Sequence, residues 1–240
     1  MLLPDHKTRL ALGGNLPYLV GCWSSRRGPV PNSGTVNDLS GHDNNIAFTG
    51  SSFWSAENGL ELDNEFAAAI HSSSLSTTGI RGLTLLAWVY ITNQSWLDRT
   101  GVFNKYNSGS GQRGYSLIIG KNNNANDFML TFVCSSSGGS LVGIATEGSD
   151  VPVGQWTMVG ATWTSGRQRL WVNGRLDAET TTGVATSINN STDNLLFGTL
   201  RDEGSSNFSG YMNELMVIHN EATADQILAL YESQRHLFGV

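Results

Sequence analysis

The chain has 240 residues, 39% of them hydrophobic and only 14% charged, with 28 glycines and a formal net charge of −6. That length suits one large sandwich or barrel, and the lack of any basic run excludes a nucleic-acid binder. Two cysteines, Cys22 and Cys134, are too few for a disulfide-stapled scaffold; both lie in apolar, strand-like runs and read as buried free thiols.

Residues 1–17 contain Pro4 and Pro17 and show no clean period, which predicts an extended N-terminal arm. Pro4, Asp5, Lys7 and Arg9 break up any apolar stretch, so neither a secretory signal nor a membrane insertion is expected. "YLVGCW" (18–23) is the first predicted strand, and residues 24–45 are turn-rich with apolar touches at Val36 and Leu39. "NIAFTG" and "LELD" follow as strands. "LTLLAWVYI" (83–91) is apolar on both alternating sets, which predicts a central strand covered on both faces.

"GVFNKY", "GYSLIIG", "FMLTFVC", "SLVGIATE" and "QWTMVGATW" continue the series. In "RLWVNGRLDA" (169–178), Asn173-Gly174 fits a two-residue type I′ turn, which needs positive φ twice. "DNLLFGT" and "SGYMNELMVIH" are the last strands. One short C-terminal helix is predicted near 223–234: Thr223 and Gln226 make a capping box, and Ile227, Leu230 and Tyr231 form an apolar stripe. Many short strands and one helix predict an all-β, antiparallel two-sheet sandwich.

"LVGCW…TVNDLSGHDNNIAFTG…GLELDN", the central Trp strand, the paired late strands and "FSGYMNELMVIHNEATADQILALY" occur in an order that resembles laminin-G-like, concanavalin-A-like jelly-roll domains. The resemblance runs from about residue 18 to 235, so the expected organisation is an arm, 1–17, and a single jelly roll, 18–240. It implies that Asp38 and Glu214 could converge to hold a structural calcium. The usual Ile-Asp-Glu is here Met212-Asn213-Glu214, and the usual Asp-Gly turn is Asp63-Asn64. Asn tolerates the left-handed conformation, so that turn can survive.

Some jelly rolls are glycoside hydrolases with acids alternating on one strand. "GLELDNEF" (59–66) carries Glu61, Asp63 and Glu65 at such positions, so a glycosidase using Glu61 and Glu65 is one reading. Against it, Asn64 would be a poor core residue, and a turn at Asp63-Asn64 would end the alternation before Glu65. The five histidines are scattered, without metal-ligand spacing.

Trp54 and Trp96 lie in polar loops and are the candidates to stack on a sugar ring, with packing at a core edge as the alternative for each. Trp88, Trp156, Trp163 and Trp171 lie in strands. Three functions stay open: a non-catalytic virion surface module such as a phage decoration protein or tail-fibre component, a cellular lectin or adhesin domain, and the glycosidase. The virion reading follows from a resemblance to the standalone jelly rolls of tailed phages. It carries four expectations: location on the particle, docking on other virion proteins through Leu2, Leu3, Leu10 and Leu12 of the arm, contact with surface glycans, and homo-oligomer formation.

Overall fold

Period-two alternation decides which face each strand buries. The computed structural model describes residues 6–25, 34–48, 50–92, 99–107, 111–121, 128–146, 151–200 and 207–240. Its strands are β1 (Leu19–Trp23), β2 (Thr35–Val36), β3 (Ile46–Phe48), β4 (Phe53–Ser55), β5 (Gly59–Glu65), β6 (Ala67–Ala69), β7 (Gly82–Ile91) and β8 (Arg99–Lys105). The second half holds β9 (Arg113–Lys121), β10 (Phe128–Gly138), β11 (Val142–Ala145), β12 (Trp156–Thr164), β13 (Arg167–Val172), β14 (Arg175–Thr180), β15 (Leu195–Phe197) and β16 (Phe208–Ile218). Helices α1 (His6–Leu12) and α2 (Ala224–Gln234) stand at the two ends.

The first sheet runs β14-β13-β12-β7-β16-β5-β4, with β1 also paired to β16; the second runs β11-β10-β9-β8-β15-β6-β3-β2. Neighbouring strands are antiparallel throughout, for example β7 with β12 and with β16. The two sheets close face to face on one apolar core that includes Leu85, Ala87 and Val89 of β7, Phe103, Leu117, Phe132, Trp163 and Phe197. This is the concanavalin-A-like jelly-roll sandwich expected from the sequence.

A second core covers the other face of the first sheet. Leu86 and Trp88 of β7, Met158, Trp171 and Met216 meet Leu12, Ile227, Leu230 and Phe238 there. Strand β7 is therefore buried on both faces, as its unbroken apolar run predicts. The Trp88 ring stacks between Tyr231 at 5.6 Å and Phe238 at 4.3 Å, and its Nε1 donates to Gln234 Oε1 at 2.8 Å. Thr223 and Gln226 form the capping box of α2. Asn173 (φ 49°) and Gly174 (φ 77°) form the expected turn between β13 and β14. Both cysteines are buried thiols outside any disulfide. Among the described residues no helix is long and apolar enough to cross a membrane.

The N-terminal segment departs from expectation. Residues 6–18 are not an extended arm but α1 followed by a 3-10 turn, Gly13–Tyr18, so helices stand at both ends of the chain. The cause is a lock onto α2. Gln226 Nε2 donates to the Leu12 carbonyl at 2.6 Å, and Asn15 Nδ2 donates to Gln226 Oε1 at 2.8 Å. Leu12 is 0% exposed in the second core and so is unavailable for docking on another protein, whereas Leu10 is 67% exposed. Leu2 and Leu3 lie outside the described residues. Strands β2, β4 and β6, at two or three residues each, are too short for their alternation to show in the sequence.

Candidate ligand-binding face

The helical cap ends at Phe238, whose ring lies 4.8 Å from that of Trp156. Beyond it the outer face of the first sheet continues as a row of cross-strand partners. Trp156 of β12 stands opposite Tyr90 of β7, and Tyr90 opposite Tyr211 of β16. Tyr211 stands opposite Glu61 of β5, and Glu61 opposite Phe53 of β4. Direct cross-strand partners point to the same face, and each of these residues alternates with neighbours in the inter-sheet core, such as Trp54, Leu60, Val89 and Met212. Five strands at about 4.8 Å spacing give the row a length of roughly 19 Å.

The rings of Tyr90 and Trp156 are 5.6 Å apart, those of Tyr90 and Tyr211 5.6 Å, and those of Trp156 and Tyr211 6.3 Å. These three are half-buried, and Phe53 at the far end is 52% exposed. Gly210 permits the close passage of β16 over β7, because a Cβ there would fall 2.0 Å from the Tyr90 carbonyl oxygen.

At the Phe53 end the row opens into a pocket of about 200 Å³ lined by Glu61, Asp63, Thr92 and Tyr211 among others. Asn58 Nδ2 donates to Glu61 Oε1 at 3.3 Å, and Ser209 Oγ donates to Asp63 Oδ1 at 3.3 Å. An ionised carboxylate has about four lone-pair sites, so both acids keep capacity to accept from ligand hydroxyls. Aromatic faces beside such acceptors suit a ligand with an apolar face and a hydroxylated rim.

Glu65 does not join its two neighbours. Asn64 (φ 57°) sits at a register shift: Ser209 pairs with Asp63, but the next residue, Phe208, pairs with Glu65. Phe208 is in the inter-sheet core, so its partner Glu65 turns to that side, where its carboxylate lies against Gly50. Glu61 and Glu65 therefore do not form a facing pair, which corrects the reading of an alternating acid strand. The strand does continue past Asn64; the left-handed residue acts as a bulge, not as a turn.

Of the two readings of Trp54, sugar stacking is corrected and core packing holds. Trp54 is 5% exposed in the inter-sheet core, and its neighbour Phe53 faces outward instead. A three-residue strand does not announce its phase; pairing with β5 sets it. Trp96 lies outside the described residues.

Asp38 and Glu214 do not fit a calcium site. Asp38 Oδ1 accepts from the backbone N–H of Cys22 and of Ser40 at 2.9 and 2.8 Å, and Oδ2 accepts from Ser40 Oγ at 2.6 Å and Asn44 N at 3.1 Å. Its lone pairs are spent stapling the 38–45 loop to β1. Glu214 accepts from Ser24 Oγ, and from Gln234 Nε2 at 3.2 Å. Among the described residues no three His, Cys, Asp or Glu side chains gather as metal ligands.

The fold and this face define a β-sandwich of lectin-like build. Residues 63–228 match the laminin G-type model of the concanavalin A-like lectin/glucanases superfamily, and the chain belongs to that family. No curated protein sequence matches it. Among solved structures it is similar to the botulinum neurotoxin serotype D ligand binding domain in complex with N-acetylneuraminic acid, at 12% identity and a TM-score of 0.70 over 93% of this chain and 53% of that one. The receptor binding domain of the botulinum neurotoxin C/D mosaic serotype matches at 12% identity and TM-score 0.69, over 91% and 52%. The binding domain of Paraclostridial Mosquitocidal Protein 1 matches at 14% and 0.66, over 91% and 53%. The chain thus spans about half the length of these domains, and at such identities the likeness is one of fold.

Proposed function

We propose that this chain is a non-catalytic glycan-binding module that lays an oligosaccharide along the Phe53–Glu61–Tyr211–Tyr90–Trp156 row. The observation that carries the reading is the row itself: four aromatic side chains and a carboxylate in one cross-strand line, running on from the capped half of the sheet. Sugar rings stack their C–H faces on the aromatics, and Glu61, Asp63 and Thr92 take hydroxyl groups at the pocket end. The neurotoxin domain in complex with N-acetylneuraminic acid binds an acidic sugar; the two carboxylates here favour neutral glycans instead.

The position of Glu65 supports the non-catalytic reading. Glycoside hydrolysis needs two carboxyl groups on either side of the scissile bond. Glu65 is turned to the other face by the register shift at Asn64, so the Glu61–Glu65 pair of an alternating acid strand is not formed. The setting we propose is a virion surface, because a short N-terminal segment with Pro, His, Lys and Arg that leads directly into "LVGCW" resembles the standalone jelly rolls of tailed phages. Mass spectrometry of purified particles tests that placement.

A screen of neutral and sialylated oligosaccharides tests the function. Neutral chains should bind, and Tyr211→Ala should weaken the best of them about tenfold, the loss of one ring contact. Reducing-sugar release from the ligand, abolished by Glu61→Gln, would overturn the non-catalytic reading. Affinity unchanged in both Tyr211→Ala and Phe53→Ala would remove the row as the site.

A further inference from the structure

A second pocket, of about 350 Å³, lies where the segment leading into β7 meets the start of β1 and the end of β16. Tyr18, Thr78, Ile80, Arg81, His219 and Asn220 are among its lining. Tyr90 of the aromatic row stands eight residues beyond Gly82 along β7, so the two sites are about 26 Å apart.

Hydrogen bonds fix one wall. His219 N donates to the Tyr18 carbonyl at 2.8 Å. The Asn220 carbonyl accepts from Thr84 Oγ1 at 2.7 Å, and Asn220 Nδ2 donates to Asn15 Oδ1 at 2.7 Å. With Nδ2 engaged, Asn220 meets a ligand as an acceptor through Oδ1. Thr78 Oγ1 accepts from Ser76 Oγ at 3.1 Å, which leaves its O–H to donate. Arg81 is exposed and brings a guanidinium to the pocket. The acid next to Asn220, Glu221, is held by Arg167 at 2.7 Å and Arg169 at 3.3 Å.

His219 points to a ligand independently of that charge. Burial, and then the charges of Lys105 and His42, lower its pKa to about 4, so its ring is neutral at pH 7. Its Nε2 is buried and has no hydrogen-bond partner in the protein. Buried polar atoms are normally partnered; beside an open pocket, a ligand hydroxyl or a bound water fills that role. A cation, a neutral imidazole, a hydroxyl, an amide oxygen and a half-exposed tyrosine ring match an acidic polyol better than an alkyl chain.

We propose that this pocket takes one acidic sugar residue, a uronic acid unit, with its carboxylate on Arg81, its hydroxyls toward Thr78, Asn220 and His219, and its ring against Tyr18. The site uses none of the residues of the aromatic row, so either reading can fail without the other.

The test is titration of the whole protein with D-glucuronate, read by amide and histidine ring-nitrogen chemical shifts. D-glucose supplies the ring without the carboxylate, and acetate the carboxylate without the ring. Glucuronate should bind more tightly than either and shift the amides of Thr78, Gly79, Arg81 and Asn220 together with the His219 ring nitrogens. Arg81→Gln, at an exposed position, should weaken glucuronate about tenfold, to the level of glucose, the expected loss of one charge-assisted pair. Tyr18→Ala should weaken both sugars. Equal affinity for glucuronate and glucose with no effect of Arg81→Gln would overturn the proposal, as would pocket amides that stay in place throughout the titration.

Discussion

The packing of α2 on the first sheet can be tested at two glycines. Gly174 has φ +77°, and a Cβ there would lie 2.7 Å from Tyr231 Cβ. Gly166, in the turn between β12 and β13, has φ +89°, and a Cβ there would meet nothing within 4 Å. Alanine at either position bears the left-handed strain of about 1–2 kcal/mol. Alanine at 174 must also push α2 away from the sheet, an overpacking cost of about 1–3 kcal/mol. Gly166→Ala should therefore lose about 1–2 kcal/mol and Gly174→Ala about 2–5 in urea unfolding at constant m-value. Tyr231→Ala should bring Gly174→Ala back toward the Gly166→Ala value, since the obstructing side chain is then shortened and the pair is coupled. Equal losses in the two glycine variants would refute the close seating of α2.

Further expectations follow from the same packing. Leu12→Ala should cost about 2–5 kcal/mol, as a buried leucine does, measured by urea unfolding; a neutral result would return α1 to the role of a free arm. Asp38→Ala should cost at least about 2 kcal/mol because it leaves buried N–H groups unmet, and melting with millimolar calcium or with chelator should give the same loss. A calcium-induced rise in melting temperature that Asp38→Ala erases would restore the metal site. Lys105 is 0% exposed, its Nζ is 2.7 Å from the Asp193 carbonyl oxygen and 3.0 Å from His71 Nδ1, and burial lowers its pKa from 10.5 to about 8. Between those two pH values the unfolded chain holds more protons, so this lysine's contribution to stability rises with pH by up to about 3 kcal/mol. Stability compared between the native chain and Lys105→Met should move by that amount toward the native chain from pH 8 to 10.5; parallel pH curves would contradict it.

Long strands and the closing helix were legible because their patterns are strong. The unbroken apolar run of β7 announced two covered faces, Asn173-Gly174 announced a hairpin, and Thr223 with Gln226 announced a helix start. The N-terminal helix was not legible, because at seven residues its fold depends on Gln226 and Asn15 meeting across more than two hundred residues of chain. The ligand face was half legible. The acids at 61 and 63 stood out, but the bulge at Asn64 that separates Glu65 from them is fixed by pairing with β16. The aromatic row draws on positions 53, 90, 156 and 211, from four strands, and only the sheet order makes them neighbours. At Phe53-Trp54 the larger ring drew the eye, while the strand phase exposed the smaller one.

Chemical-shift mapping reads whether glycans lie on the aromatic–acid row. On titration with the best neutral oligosaccharide, the Trp156 indole N–H and the backbone amides of Phe53, Glu61, Asp63, Tyr90 and Tyr211 should shift together with one affinity. The Trp88 and Trp171 indoles, buried under the helical cap, should stay in place. Shifts absent from the row, or centred on another face of the sandwich, would place the glycan elsewhere and remove the row as its site.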